Sequence, residues 1–318
     1  MPNFQGVWNL ATQYENSADW PIPPVNIYGL FAGAYPGSGS STIDQINFSS
    51  LGNATSTGSL SYIRGWAGLG SSTRAVFAGA SDSQGSGVNT VMEYVTFGTA
   101  GNGTDFGDLT VARWGPACVG NSTRGVWVSG SPSTGVSNVM DYVTLATTGN
   151  ASDFGDIATQ TMTPAGLASP TRGLIAGGFI PFSPYYTNAI NYITTASTGN
   201  STDFGDRTTN SYNAGGASSD TRGLFAGGIP SSGTVQNVID YVTIATTGNA
   251  IDFGNLAEAR RIQSTGASDN ILAVFGGSYY LNSLEKITIA TLGNGTDFGD
   301  LTQTGFYSGC SNGHGGLQ

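Results

Sequence analysis

The chain has 318 residues, 9% of them charged, with a formal net charge of −10, 49 glycines and one lysine, Lys286. It offers no basic stripe to a phosphate backbone or an anionic bilayer, which argues against nucleic-acid binding and electrostatic membrane attachment. No run of about 18 apolar residues is present to span a bilayer, while 38% hydrophobic and 11% aromatic residues suffice for a core.

In chain order, residues 1–25 form a lead-in. It lacks a basic stretch followed by a long apolar one, so it does not read as a signal peptide. Trp8, Trp20, Pro21, Pro23 and Pro24 make it stiff and apolar. It either completes a sheet at the start of the fold or anchors the chain to another protein. Residues 26–318 read as one domain. A short apolar run closed by glycine begins at Tyr28 (YGLFAGA), Thr73, Thr123, Thr171, Thr221 (TRGLFAGG) and Asn270. Each is followed by a loop and an alternating, β-branched strand, from Ser41, Asn89, Ser137, Thr187, Gln236 (QNVIDYVTI) and Asn282. A third strand follows a Gly-Asn turn: GNGTDFGDLT from Gly101, with copies from Gly149, Gly199, Gly248 and Gly293 and a worn copy, GNATSTGSLS, from Gly52. The DFG aspartates Asp105, Asp153, Asp203, Asp252 and Asp297 are 48, 50, 49 and 45 residues apart. A fourth segment, RIQSTGAS from Arg261, is poorer in large residues. Four strands in about 48 residues, with no helical period, make one blade of a β-propeller. Counting the units predicts an all-β, six-bladed propeller, its ring closed by the chain termini.

A glycine pair after an apolar strand, then an alternating strand, then a polar third strand, resembles the kelch repeat, whose period is about 50. Over residues 26–310 the DYVTIATTGNA and DFGD phrasing is similar to the kelch-like repeat proteins of tailed bacteriophages, marine cyanophages especially. The chain departs from cellular kelch domains in lacking their Trp-rich fourth strand. The resemblance implies a non-enzymatic virion protein of the tail, a fibre or the capsid, located in the virion. Its implied partners are other virion proteins, with a host-surface glycan or a second copy of the chain as further candidates. It implies no cofactor.

Constellations that carry chemistry elsewhere read as architecture here. DFG marks protein kinases, but five copies without a glycine-rich phosphate loop or an H-R-D segment do not make one. The aspartate is expected to accept backbone hydrogen bonds and the glycine to supply an unusual φ. A calcium site of Asp105 with Asp108 is the sharper alternative. Ser56 and Asn255 replace these carboxylates in other copies, so no metal site is expected. Arg74, Arg124, Arg172 and Arg222 share one repeat position; Glu93, Asp141, Asn191, Asp240 and Glu285 share another. Ion pairs within each blade are expected, with Ile271 at the arginine position of the last blade and Lys286 a local substitute. Cys118 and Cys310 each follow a DFG aspartate by 13 residues and are expected as equivalent, buried, free thiols. His314 is the only histidine and lies in a glycine-rich tail. Glycoside hydrolysis needs paired carboxylates in one cleft; here they are spread over the repeats, so no catalytic residue is assigned.

Function is expected where repetition fails. The loops after the first strands are the least uniform segments, and three carry aromatics: Tyr35; Phe179, Phe182, Tyr185 and Tyr186; and Tyr279 with Tyr280. Aromatics in such loops stack on sugars or anchor protein contacts. With Trp8 and Trp20 as anchor candidates, these are the expected contact residues.

Overall fold

A computed structural model describes residues 26–33, 41–62, 66–81 and 87–313. The lead-in with Trp8 and Trp20, the loop holding Tyr35, and His314 lie outside them. All regular structure among the described residues is β. The strands build six blades, each with a core of four antiparallel strands, arranged as a propeller; blade 5 gains a short parallel fifth strand, and a two-stranded ribbon lies beside it. Blade 3 shows the pattern from axis to rim: Ala117–Gly120, Arg124–Val128, Val139–Thr144 and Ser152–Asp156. Blade 1 takes its innermost strand from the other end of the chain: Tyr307–Ser311 pairs antiparallel with Tyr28–Gly33.

The small-residue segment that ends the sequence repeat opens the next blade. In the last full repeat, Ser264–Thr265 lies parallel to Gly215–Gly216 of blade 5, and Ala267–Ser268 pairs with Val274 and Ala273 as the innermost strand of blade 6. Loop length explains the change of partner. The TRG strand follows its inner neighbour after a short turn, Ser71 N–H bonding Arg74 O at 2.8 Å, as a hairpin requires. The eight or so residues after DFGD instead span three strand spacings, roughly 14 Å, from rim to axis.

Each DFG phenylalanine is the extra residue of a β-bulge. In blade 3, Met140 faces Gly155 and Asp141 faces Asp153, so Phe154 is squeezed between and turned into the core. It meets Tyr142 edge-on at 6.0 Å, and Arg124 lies 4.6 Å above the tyrosine ring. The same arginine, tyrosine and phenylalanine stack in blades 2, 4 and 5.

The repeated charges tie neighbouring blades together, which corrects the expected ion pairs within a blade. Arg124 stacks on its own blade and donates to Thr195 O of the next at 3.0 Å; Arg172 and Arg222 likewise reach Ala245 O at 2.9 Å and Ala290 O at 2.8 Å. The carboxylates reach back instead. Asp141 binds Arg113 of blade 2 at 2.6 Å, Asp240 binds Arg207 of blade 4 at 3.0 Å, and Glu285 binds Arg260 of blade 5. A carboxylate and an arginine in one repeat point to opposite ends of the sheet, so neither can meet the other. In blade 6 the arginine position belongs to Leu272, not Ile271: Leu272 pairs with Thr288 as Arg222 pairs with Thr243. Lys286 stands where blades 2 to 5 hold tyrosine.

The hydrogen-bond acceptor of the GNxTDFG motif is its asparagine, not its aspartate, which is exposed. Asn150 Oδ1 accepts Asp108 N–H of the preceding blade at 3.1 Å, and Asn53 accepts Asp300 N–H at 3.0 Å across the chain ends. The motif's glycine makes this approach feasible. Gly155 has φ +137°, and a Cβ there would sit 2.6 Å from Gly199 O of the next blade.

The axis is filled. The innermost strands are buried and small-sided. A Cβ on Gly216 would overlap Gly166 O, so these backbones lie against one another. Thr265 Oγ1 sits among Gly309 O at 2.7 Å and Ser308 Oγ at 2.8 Å, and Gly266 N–H bonds Gly216 O at 2.8 Å. Cys118 and Cys310 are free and buried in this region, but they are one residue out of register. Cys118 pairs with Trp127, and it is Gly309 that pairs with the equivalent Phe31. The loops that reach the axis differ by a residue, and strand alternation sends the two thiols into different interblade layers. Burial pushes both thiols well above the usual range, which leaves them poor nucleophiles.

Candidate functional site: the loop face

Antiparallel order gives the ring two unlike faces. One carries the short turns from first to second strand and from third to fourth. The asparagine ties lie there at every seam, with the arginine ties of blades 2 to 5 beside them. The other carries the longer loops between second and third strands, together with the segments that cross from each rim to the next axis. The sequence irregularities collect on this loop face.

In blade 4, three of the expected contact residues come together. Phe179 stacks on Tyr185 at 6.3 Å and meets Tyr186 edge-on at 5.8 Å. A fourth ring, Tyr212 from the crossing segment into blade 5, lies 5.6 Å from Tyr186 and 6.4 Å from Phe179. Backbone bonds fold the loop back on itself: Ile180 N–H to Tyr185 O at 2.9 Å and Tyr185 N–H to Phe182 O at 2.7 Å. Phe182 and Tyr185 remain 56% and 51% exposed. Tyr279 and Tyr280 are not part of this cluster. They form the two-residue turn between Leu272–Ser278 and Leu281–Thr288 of blade 6. Tyr279 is braced by Phe306 at 5.9 Å, and Tyr280 is 81% exposed.

The blade 5 loop between these stations separates two clefts. The cleft toward blade 4 has about 500 Å³ and is walled by Tyr186, Pro184, the Thr208–Asn210 segment and Gln236. The cleft toward blade 6 has about 460 Å³ and holds Tyr279, Tyr280, Val235 and Arg261. Neither is lined by a carboxylate.

Buried ion pairs hold the crossing segments from below. Asp240 takes Arg207 Nε at 3.0 Å, Thr208 Oγ1 at 2.6 Å and Thr208 N–H at 3.3 Å, while Arg207 Nη1 donates to Ser211 Oγ at 2.7 Å. Asp141 holds Thr110 and Arg113 in the same way. Burial lowers the Arg113 pKa, an effect that Asp141 opposes. The seam between blades 6 and 1 is different. Asp44 is buried, accepts Thr302 N–H at 2.8 Å and Thr302 Oγ1 at 2.7 Å, and has no cationic partner among the described residues. Burial raises its pKa, and the Thr302 bonds only partly offset this.

Reading the sequence missed Arg113, Arg207 and Arg260, and also Tyr212 and Phe306. A signal for most of them was present. Arg64, Arg113 and Arg260 lie eight residues beyond the first position of the DFG triplet, and Trp114, Met162, Tyr212 and Phe306 lie nine beyond it. Among the described residues no three His, Cys, Asp or Glu side chains gather as metal ligands. No protein-family model matches the chain, and a search of curated proteins finds no match.

Proposed function

We propose that the protein is a non-enzymatic virion component of a tailed bacteriophage, a rigid ring that presents its loop face for contact with a host-surface glycan or another protein. The observation that carries the contact reading is the concentration of exposed aromatic rings, Phe182, Tyr185 and Tyr280, on one face of an otherwise uniform repeat. Preformed loops lose little ordering entropy on binding, which favours recognition by presentation over chemistry. Among the described residues the innermost strands pack against one another at the axis, which leaves the loop face as the surface available for contact. The virion setting rests on the resemblance of the repeat to phage kelch-like proteins.

Two other readings are distinguishable. A purely structural subunit would bind no host ligand, and a glycan hydrolase would release reducing ends from host polysaccharide. Immunogold labelling of purified particles tests the virion setting; absence of label overturns it. Binding of the purified chain to host cells tests the contact face. We expect the double substitution Phe182→Ser with Tyr280→Ser to reduce that binding at least tenfold without changing Tm by more than a few degrees. Unchanged binding would remove the loop face from the proposal.

A further inference from the structure

The cleft between blades 4 and 5 is chemically unlike the one beside it, and we infer that it is a binding site for a neutral saccharide. This rests on the contact reading above and assigns it a place and a ligand class. No charged side chain lines the cleft. An anionic sugar would find no arginine or lysine there, and a cation no carboxylate. The polar lining is made of hydroxyls and carboxamides, which both donate and accept, as sugar hydroxyls do. Thr209 Oγ1 and Gln236 Oε1 are buried without a hydrogen-bond partner. Asn188 Nδ2 donates to Arg207 O at 3.4 Å, so that residue too has its side-chain oxygen to offer. Buried polar atoms left unpaired are costly, and a ligand that donates to them recovers that cost. Sugar hydroxyls are such donors, and rotation about the broad terminal torsion of Gln236 turns its amide toward them. The opposite wall is a ring surface, Tyr186 beside Pro184, against which the C–H face of a pyranose packs. The volume, about 500 Å³, falls within the usual range for small-ligand sites, roughly 300–1,000 Å³.

The walls are also preorganised. Tyr186 is held by Phe179 and Tyr212, at 5.8 and 5.6 Å. The Thr208 segment is tied to Asp240, and Ser211–Tyr212 pairs with Ile229–Pro230 to fix the far wall. The neighbouring cleft carries Arg261 beside Tyr279 and Tyr280, which suits an anionic ligand and makes it an internal contrast.

The test is a titration of the full chain by saturation-transfer difference NMR. The probes are methyl β-galactoside, methyl α-glucoside, N-acetylglucosamine and, as the anionic sugar, N-acetylneuraminic acid. At least one neutral sugar should bind with the millimolar affinity expected of so small a ligand. Tyr186→Ala and Gln236→Ala should each weaken it fivefold or more, Tyr186→Phe should retain it, and Leu292→Ser on the opposite face should leave it unchanged. Circular dichroism melting checks that each variant folds. Loss of binding with Tyr280→Ala but not with Tyr186→Ala would overturn this assignment while leaving the contact reading intact. So would tighter binding of N-acetylneuraminic acid than of every neutral sugar. If none of the probes binds although host-cell binding persists, the neutral-saccharide site is wrong and the face recognises something else.

Discussion

Blades 2 to 5 and the pair formed by blades 6 and 1 solve the same problem with different chemistry. In the former, an arginine lies on a tyrosine and reaches the next blade's carbonyls. In blade 6 those two positions are Leu272 and Lys286; in blade 1 they are Tyr28 and Gln45, where Gln45 Oε1 accepts Gly98 N–H at 3.2 Å. On the loop face, three seams carry buried arginine–carboxylate pairs, while the seam from blade 6 to blade 1 holds Asp44 with only Thr302. The seam from blade 3 to blade 4 drops both charges at once, with Thr161 and Asn191 at the paired positions. A propeller therefore does not need its ion pairs everywhere. At these seams each buried carboxylate is answered or absent, except Asp44.

Substitutions can break or sharpen this contrast. The largest effect is expected from Arg207→Met, which would turn the blade 4 to blade 5 seam into one like Asp44's by leaving Asp240 alone. Removing one partner of a buried pair costs about 3–5 kcal/mol, read as a fall in chemical-denaturation stability. A loss below about 0.5 kcal/mol would mean that a lone buried carboxylate is cheap in this ring and that the contrast carries no energy. Arg124→Ala is expected to cost about 1–2 kcal/mol through the lost ring contact and carbonyl bond, whereas Leu272→Ala at the equivalent place should show no loss of arginine-type salt sensitivity.

Asp44→Asn should act through pH. Burial raises the folded-state pKa of Asp44. Below the ordinary carboxylate value of about 4 both states are protonated and the residue costs nothing. As pH rises through that value the unfolded chain loses its proton first, so the native protein loses stability until the raised folded value is passed. The difference in Tm between Asp44→Asn and the parent should therefore grow in the variant's favour from about pH 4 upward and then level off. A variant less stable than the parent at neutral pH would show that the charged carboxylate is favourable at this seam. The smallest effect, a gain of less than about 1 kcal/mol, is expected from installing the missing stack in blade 6 with Leu272→Arg and Lys286→Tyr together.

The ring was legible because repetition is a one-dimensional signal. The period of the DFG aspartates, the six glycine-closed runs and the six alternating strands are all counted along the chain. What was not legible was which neighbour each side chain meets. Arg124 and Asp141 lie on adjacent strands, yet each reaches a different blade, because one is near the turn face and the other near the loop face. Register failed in the same way where loops vary by a residue, as for Leu272 and for the two cysteines. The aromatic loops of the candidate site were visible as departures from the repeat. Tyr212 and Phe306 were hidden because they belong to crossing segments, whose recurring large residue shows only when counted from DFG.

The pairing of Tyr28–Gly33 with Tyr307–Ser311 has a mechanical consequence. Gly29 faces Ser311 and Gly33 faces Tyr307, so Asn26 and Gly313 emerge side by side, where Asn312 Oδ1 accepts Tyr28 N–H at 2.8 Å. Tension applied between these two points would load the ladder one rung at a time, like a zipper, instead of shearing all rungs together. The ring would resist force spread over its faces far better than force pulling its two strands apart. A ring tethered through one of them alone would never load the ladder in this weak direction.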